Sequence, residues 1–464
     1  MNRPWRVYVA TCALAVAATT AFGSSSTGRA MNEPFPLDPT FAASASPPGV
    51  LQIPLEDGQS TASTVAALDD GSTLVGLSGV DGYGFTTSWG LAKVTADGVV
   101  DASFASTSPT PGMLATPWQK ITQIEVDSQG RILLGGGYSV TRLLADGTPD
   151  TSFIATCISP CVPPSTLPLH SAGQVRLSGR LSSMVLLADD SLAIVTFQDL
   201  VPELSLTKLT SSGDRDLAFH ATGEVPGVYT LAISGQGRVV ALTDGRILLV
   251  ALGTAEAYRF TELGAPDPGF GAGTGHVHLD IVPAGEQLFA VATHGPNHLL
   301  LTISSGCCNR TVFARVSVEG VTDTSFATNG TFDTASFLSA SAVAGFVAPD
   351  LRIVARGRLP SGENVLFRLS AAGQLDSSFA PGSSSAGTLV IRPREVDHYT
   401  HVVSDIAFAP DGAMILVGGS APPPMWAHTS DVAEVYRMPD AIESIGGSAD
   451  ALRPAVRLGP PTTP

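Results

Sequence analysis

The chain has 464 residues, a formal net charge of −16, and 44% hydrophobic against 14% charged side chains. That balance supports a large buried core and excludes global disorder. The acidity argues against a nucleic-acid partner and against an anionic membrane surface, because both need basic patches. Forty-eight Gly and 34 Pro suit many short strands joined by tight turns better than a helical bundle.

The N-terminus opens with Arg3 and Arg6 before the run "VYVATCALAVAATTAFG", which ends in a small-x-small triplet at 21–23. This pattern predicts a signal peptide over residues 1–23 and a flexible linker over 24–36. At about 17 residues, softened by Thr, the apolar run is short for a membrane span. No later run is longer, so no membrane span is expected. The expected product is exported to the periplasm, the cell surface or the medium.

From residue 37 a four-residue string recurs. Asp-x-x-Phe appears as Asp38/Phe41, Asp101/Phe104, Asp150/Phe153, Asp216/Phe219, Asp267/Phe270, Asp323/Phe326 and Asp376/Phe379, at steps of 49 to 66 residues. Before most copies stands a β-prone segment ending in a Gly turn, such as "GLAKVTADGVV", "YSVTRLLADGTP" and "VLFRLSAAGQL". After each copy comes a hairpin: "VAALDDGSTLVGL", "IEVDSQGRILLGGG", "VLLADDSLAIVTF", "VALTDGRILLVAL", "VATHGPNHLLLTI", "FVAPDLRIVARG" and "IAFAPDGAMILVGG". Apolar runs flanking Asp-Gly turns are the strongest local hairpin signal.

Each unit therefore supplies four strands in roughly 40–60 residues, which fits a propeller blade better than a solenoid rung. The predicted fold is all-β: a seven-bladed β-propeller of four-stranded blades over residues 37–440. Its phase adds a detail. The strand at 49–55 has no blade of its own, and the last hairpin with "VAEVYRM" lacks an outer strand. Pairing the two would close the ring and remove two exposed sheet edges, so the N-terminal strand is expected to complete the last blade. Residues 441–464, rich in Gly and Pro, read as a flexible C-terminal tail.

The order strand, "aDG", "D-x-S-F", strand, "pDG-x-I-L-V-G" resembles the delta-60 repeat family of bacterial exported proteins. The resemblance spans nearly all of the expected mature chain, and "VTADGVVDASF" and "LLADGTPDTSF" are its best copies. It implies a propeller-like fold and no enzyme activity, since no catalytic residues belong to the repeat.

The repeated residues have a structural reading. Asp can accept backbone N–H groups two or three residues on, and the Phe can plug the gap between adjacent sheets. One carboxylate per motif is too few for calcium, which takes six to eight oxygens. Asp70, Asp244 and Asp411 are expected at hairpin positions that demand positive φ.

Ligand chemistry is expected in the departures from the repeat. His276, His278, His294 and His298 fall in the fifth unit, and His398 and His401 in "DHYTH". "SSGCCNR" carries Cys307 and Cys308, and a long Pro-rich insertion carries Cys157 and Cys161. In an exported chain these four suggest a Cys157–Cys161 staple and either a vicinal Cys307–Cys308 bond or two free thiols. No nucleophile elbow, zinc-protease helix, phosphate loop or dinucleotide fingerprint occurs. No catalytic, cofactor or metal residue is therefore assigned, and no cofactor is expected. The leading reading is a monomeric binding or structural scaffold for a protein or glycan, rather than an enzyme. The alternative is a calcium-dependent propeller hydrolase, lactonase- or esterase-like.

Overall fold

A computed structural model describes residues 37–439 except 46–47, 54–59, 81–85, 117–119, 154–172, 284, 306–309, 337–340, 360–362, 381–385, 392–399 and 422–432. Twenty-eight strands form seven four-stranded antiparallel sheets, and the only helical turns among the described residues are two short 3-10 segments. No helix among these residues is long and apolar enough to cross a membrane. Each sheet is one blade, and the blades form a seven-bladed β-propeller.

Blade 1 runs from the channel outward as Ser60–Ala67, Thr73–Val80, Thr86–Val94 and Met113–Ala115. The inner strands of blades 2 to 7 are Gln123–Val126, Arg180–Leu186, Gly237–Ala241, Gln287–Thr293, Ser341–Val347 and Thr400–Phe408. Middle strands such as Ile132–Gly136, Leu204–Leu209 and Asn364–Leu369 are buried at every residue. A neighbouring blade covers each face, so continuous apolar runs replace the alternation of a one-faced sheet. The core accordingly lies between blades: Leu74, Leu91, Phe104, Ile132 and Leu134 fill the seam of blades 1 and 2.

The ring is closed by the strand Val50–Ile53, which pairs with Ala433–Met438 in the register Val50↔Tyr436 to Ile53↔Ala433. It becomes the outer strand of blade 7, whose inner strands come from the other end of the chain. Phe41, Ile53, Val75, Val417 and Val435 then share one core cluster between blades 7 and 1.

The hairpin turns differ from expectation in one respect. Positive φ falls on the following glycines, Gly71 (81°), Gly245 (82°) and Gly412 (84°), rather than on Asp70, Asp244 and Asp411. Each Asp instead accepts the backbone N–H two residues on, as Asp70 does from Ser72 at 2.9 Å, Asp244 from Arg246 at 3.1 Å and Asp411 from Ala413 at 3.1 Å. The division is physical: only Gly enters the left-handed region without a Cβ penalty, while a carboxylate caps the turn.

Candidate functional site

The seven Asp-x-x-Phe motifs lie between the third and fourth strands of their own blades. Asp38, Asp101, Asp150, Asp216, Asp267, Asp323 and Asp376 each accept the backbone N–H two residues later, at 2.8–3.0 Å. Phe41, Phe104, Phe153, Phe219, Phe270, Phe326 and Phe379 are all at most 2% exposed. Most of these rings press against a turn glycine of the next blade. A Cβ on Gly98 would meet the Phe41 ring at 2.9 Å, and one on Gly147 the Phe104 ring at 2.8 Å. Phe153 stands in the same way against Gly213, Phe219 against Gly264 and Phe326 against Gly373, at 2.6–2.8 Å.

Phe270 departs from this arrangement. At the equivalent glycine of blade 5, Gly320, the nearest side chain is Val277 from the outer strand of blade 4, at 2.6 Å. Phe270 still fills the seam of blades 4 and 5, in one cluster with Val250, Leu299 and Leu301. Phe326 fills the next seam with Phe313, Ile353 and Ala355, and the His294 ring meets it edge-on at 6.2 Å. Phe379, 2% exposed, lies under the Arg368 guanidinium at 5.0 Å. The motif phenylalanines thus pack at the joints between blades. The residue after the Phe bolts the same seam, with Ala42 N–H donating to Asp97 O and Ala105 N–H to Asp146 O, both at 2.7 Å.

A further residue, repeated in every blade, escaped the sequence reading. Lys93, Arg142, Lys208, Arg259, Arg315 and Arg368 each stand eight residues before a motif Asp and pair with it at 2.6–3.5 Å. Arg437 takes the same role toward Asp38 at 3.1 Å. Four of the guanidiniums also lie over the motif rings of Phe153, Phe270, Phe326 and Phe379, at 4.5–5.0 Å. The signal was present as a basic residue eight positions upstream, but Lys and Arg alternate there and so blur the string. Burial alone would raise the carboxyl of Asp150, but bonds from Ser152 and the charge of Arg142 outweigh it and hold it below the usual range.

The histidines of the fifth unit divide between two places. His276 and His278 lie on the outer strand of blade 4 and hold opposite oxygens of Glu256, at 2.6 and 3.0 Å. His294 is buried and donates to the Leu351 carbonyl of blade 6 at 2.8 Å, while His298 reaches Asp323 at 3.3 Å. His401 lies on the inner strand of blade 7. Among the described residues no group of three or more His, Cys, Asp or Glu could hold a metal ion. Cys157, Cys161, Cys307, Cys308 and His398 lie outside the described residues, as do the predicted signal peptide, linker and tail.

One level of the channel departs from sevenfold regularity. Counting four residues back from the hydrogen bond that closes each hairpin gives Thr64, Gln123, Ser183, Arg238, Ala290, Ala344 and Asp405. They are one equivalent position on each inner strand. In five of the seven inner strands a β-bulge directly precedes it, at Ala62/Thr64, Leu181/Ser183, Leu288/Ala290, Ala342/Ala344 and Val403/Asp405. A bulge leaves a backbone group outside the ladder. Side chains of this level then reach to the next blade: Gln123 Oε1 accepts from Met184 N–H at 2.8 Å, and Ser183 Oγ from Val239 N–H at 3.3 Å. Asp405 closes the circle by accepting from Val65 N–H and the Thr64 hydroxyl of blade 1, both at 3.0 Å.

Two positive charges join this level. Arg238 belongs to it directly, and Arg356 on the second strand of blade 6 stands opposite Ala344, whose methyl leaves its long side chain room. Both feel the charge of Asp405, yet neither makes an ion pair or hydrogen bond among the described residues. Burial lowers both guanidinium pKa values and raises that of Asp405, since each loses solvation in its charged form. The Arg356 Nε–H is buried without an acceptor among the described residues. This constellation is invisible to motif reading because its members lie on three blades, at Arg238, Arg356 and Asp405.

Comparison with known proteins bears on the fold. Residues 128–153 match the family described as a β-propeller domain of unknown function, DUF5122. No curated protein matches the chain. Among solved structures, an inactive virginiamycin B lyase from Staphylococcus aureus, crystallised with quinupristin, is 7% identical over 83% of this chain and 98% of its own, with a TM-score of 0.44. A protein described as a putative gluconolactonase is 12% identical over 84% of this chain and 93% of its own, at a TM-score of 0.33. The β-propeller domain of Vanderwaltozyma polyspora Nup133 is 10% identical over 80% of this chain and 94% of its own, at 0.38. These likenesses are too distant to carry an activity across. The chain is a seven-bladed β-propeller built from sequence repeats.

Proposed function

We propose that this protein is an exported delta-60-type propeller that works as a monomeric binding module, with its ligand taken up in the channel. The observation that supports this is the contrast between two sets of residues. The Asp–Phe–cation joints repeat in all seven blades and hold them together. The channel level differs from blade to blade and gathers Arg238, Arg356 and Asp405. Guanidiniums stay protonated and bind oxyanions, and they neither abstract protons nor attack, so the two arginines serve recognition.

The test is a pair of measurements on protein secreted by its native host. Mass spectrometry of the mature N-terminus is expected to show cleavage near residue 23. Assays of lactone and aryl-ester hydrolysis, with calcium and with chelator, are expected to show no turnover above buffer. Calcium-dependent hydrolysis would overturn the module reading in favour of a propeller hydrolase, and retention of residues 1–23 would overturn export.

A further inference from the structure

The geometry points to a carboxylate-binding site in the channel, formed by Arg238 and Arg356 against a wall made by Ala290 and Ala344. It deepens the binding-module reading by naming the chemistry of the ligand, and rests on that reading only for the ligand's biological role.

The four positions are consecutive around the ring. Arg238 comes from blade 4, Ala290 from blade 5, and Ala344 with its cross-strand partner Arg356 from blade 6. Ala290 and Ala344 follow Arg238 in ring order and present only methyl groups at this level. Asp405 does not fill the need of the two guanidiniums. Its oxygens are engaged by Val65 N–H, the Thr64 hydroxyl and its neighbour Ile406 N–H, all at 3.0 Å. Two arginines facing one carboxylate leave one positive charge uncompensated in a half-buried place. Buried charges are ordinarily paired, because desolvation of an unpaired ion costs several kcal/mol.

The unpartnered Nε–H of Arg356 specifies the ligand further. The Nε and one terminal nitrogen of a guanidinium form the fork that matches the two oxygens of a carboxylate. In the five arginine joints the same Nε is used: Arg142, Arg259, Arg315, Arg368 and Arg437 each turn Nε to an Asp oxygen. Among the described residues Arg356 and Arg215 both leave that Nε contact unoccupied, and of the two Arg356 stands opposite Ala344 of the channel level. With a total charge of −16, the rest of the chain would repel an anion that lacked such a local site.

The test uses the full mature chain with malonate, acetate and phosphate as probes against sodium chloride at equal ionic strength, followed by titration calorimetry and thermal melts. Malonate is expected to bind saturably and to raise the melting temperature, with acetate weaker and phosphate weaker than malonate. R356Q and R238Q are each expected to weaken malonate roughly ten-fold or more, the loss of one charge-assisted contact. In chloride they should melt no lower than the parent protein, since each removes a charge that lacks a partner. Should either glutamine variant fail to fold, Ala344→Leu fills the wall without removing charge and is expected to abolish malonate binding. No saturable effect beyond chloride, or unchanged affinity in R356Q or Ala344→Leu, overturns the site. Tighter binding of phosphate than of malonate overturns its assignment to carboxylates. Malonate binding combined with lactone turnover would sink the module reading and leave the site standing; the converse result would do the reverse. Binding of malonate but not of a peptide or uronic-acid oligosaccharide ending in a carboxylate would identify a small free acid as the ligand.

Discussion

Arg437 Nε donates to Asp38 Oδ2 at 3.1 Å across 399 positions of sequence. The other six joints make the equivalent contact between residues only eight apart, as Arg142 does to Asp150 at 2.8 Å. One local device is thus reused once as the long-range clasp that, with the strand Val50–Ile53, closes the ring. The Arg437 Nη2 donates to Asp411 in the hairpin turn of its own blade, so the clasp ties three chain segments together.

Removing residues 37–53 therefore does two things. It strips Asp38 and Phe41 from the seam of blades 7 and 1, and it bares the edge of Ala433–Met438. The shortened protein is expected to melt at lower temperature and to self-associate through that edge. Calorimetry and light scattering check both; an unshifted melt in a monodisperse sample would show that the ring does not depend on this strand.

The joints themselves differ in burial, and the cost of breaking them should follow it. The Arg142 and Asp150 side chains are 3% and 7% exposed, those of Arg437 and Asp38 11% and 20%. Arg142→Ala leaves the buried Asp150 carboxylate with only Arg131, at 4.0 Å, and the Ser152 bonds, and uncovers the Phe153 ring; it is expected to cost up to about 3–5 kcal/mol. Arg437→Ala is expected to cost less. Phe219→Ala, at a position with no exposed surface, should cost about 3–5 kcal/mol through the cavity it opens between blades 3 and 4. Denaturant melts order the three.

A subtler effect is expected one residue after the motif. Ala42, Ala105, Ala327 and Ala380 hold φ of 46–47°, a left-handed conformation that costs any residue with a Cβ. Ala105→Gly should be neutral or stabilising by up to about 1 kcal/mol, and Ala105→Val destabilising by more than that. Equal destabilisation by both would mean that the Ala105 methyl, 4% exposed, matters more than its backbone.

These joints and the channel mark where the sequence could be read and where it could not. Asp-x-x-Phe and the hairpin turns recur because every blade needs the same local geometry, so counting them yields seven blades and the closing strand. The cation at Lys93, Arg142 and their equivalents repeats too, but two residue types satisfy one electrostatic need. Phe270 repeats in sequence while its neighbour does not, because Val277 takes the place at Gly320 that a motif ring holds in other seams. Arg238, Arg356 and Asp405 follow no period at all. They come together because the ring folds blades 4, 6 and 7 around one axis, and their separation in sequence carries no trace of it.

Asp405 provides a pH-dependent check on that channel. Burial raises its carboxyl above the ordinary carboxylate value, and bonds from Val65 and Thr64 with the charge of Arg356 offset this only in part. The folded state thus binds this proton more tightly than the unfolded chain does. Its contribution to stability is fully present below the unfolded value and is lost as pH rises through the higher folded one. Asp405→Asn cannot ionise and keeps an oxygen to accept from Val65, so it is expected to melt above the parent protein at neutral pH. The gap should close in acid, where Asp405 is protonated in both states. The motif aspartates act with the opposite sign: Asp101, Asp150 and Asp323 are held below their usual range, so their stabilisation is lost as pH falls. They are common to both proteins and cancel in the difference between the two melting curves. A parent protein more stable than Asp405→Asn at neutral pH, with that advantage lost in acid, would show that Arg356 and Arg238 hold Asp405 as a carboxylate. It would also show that the positive charge assigned to the channel is already spent inside the protein.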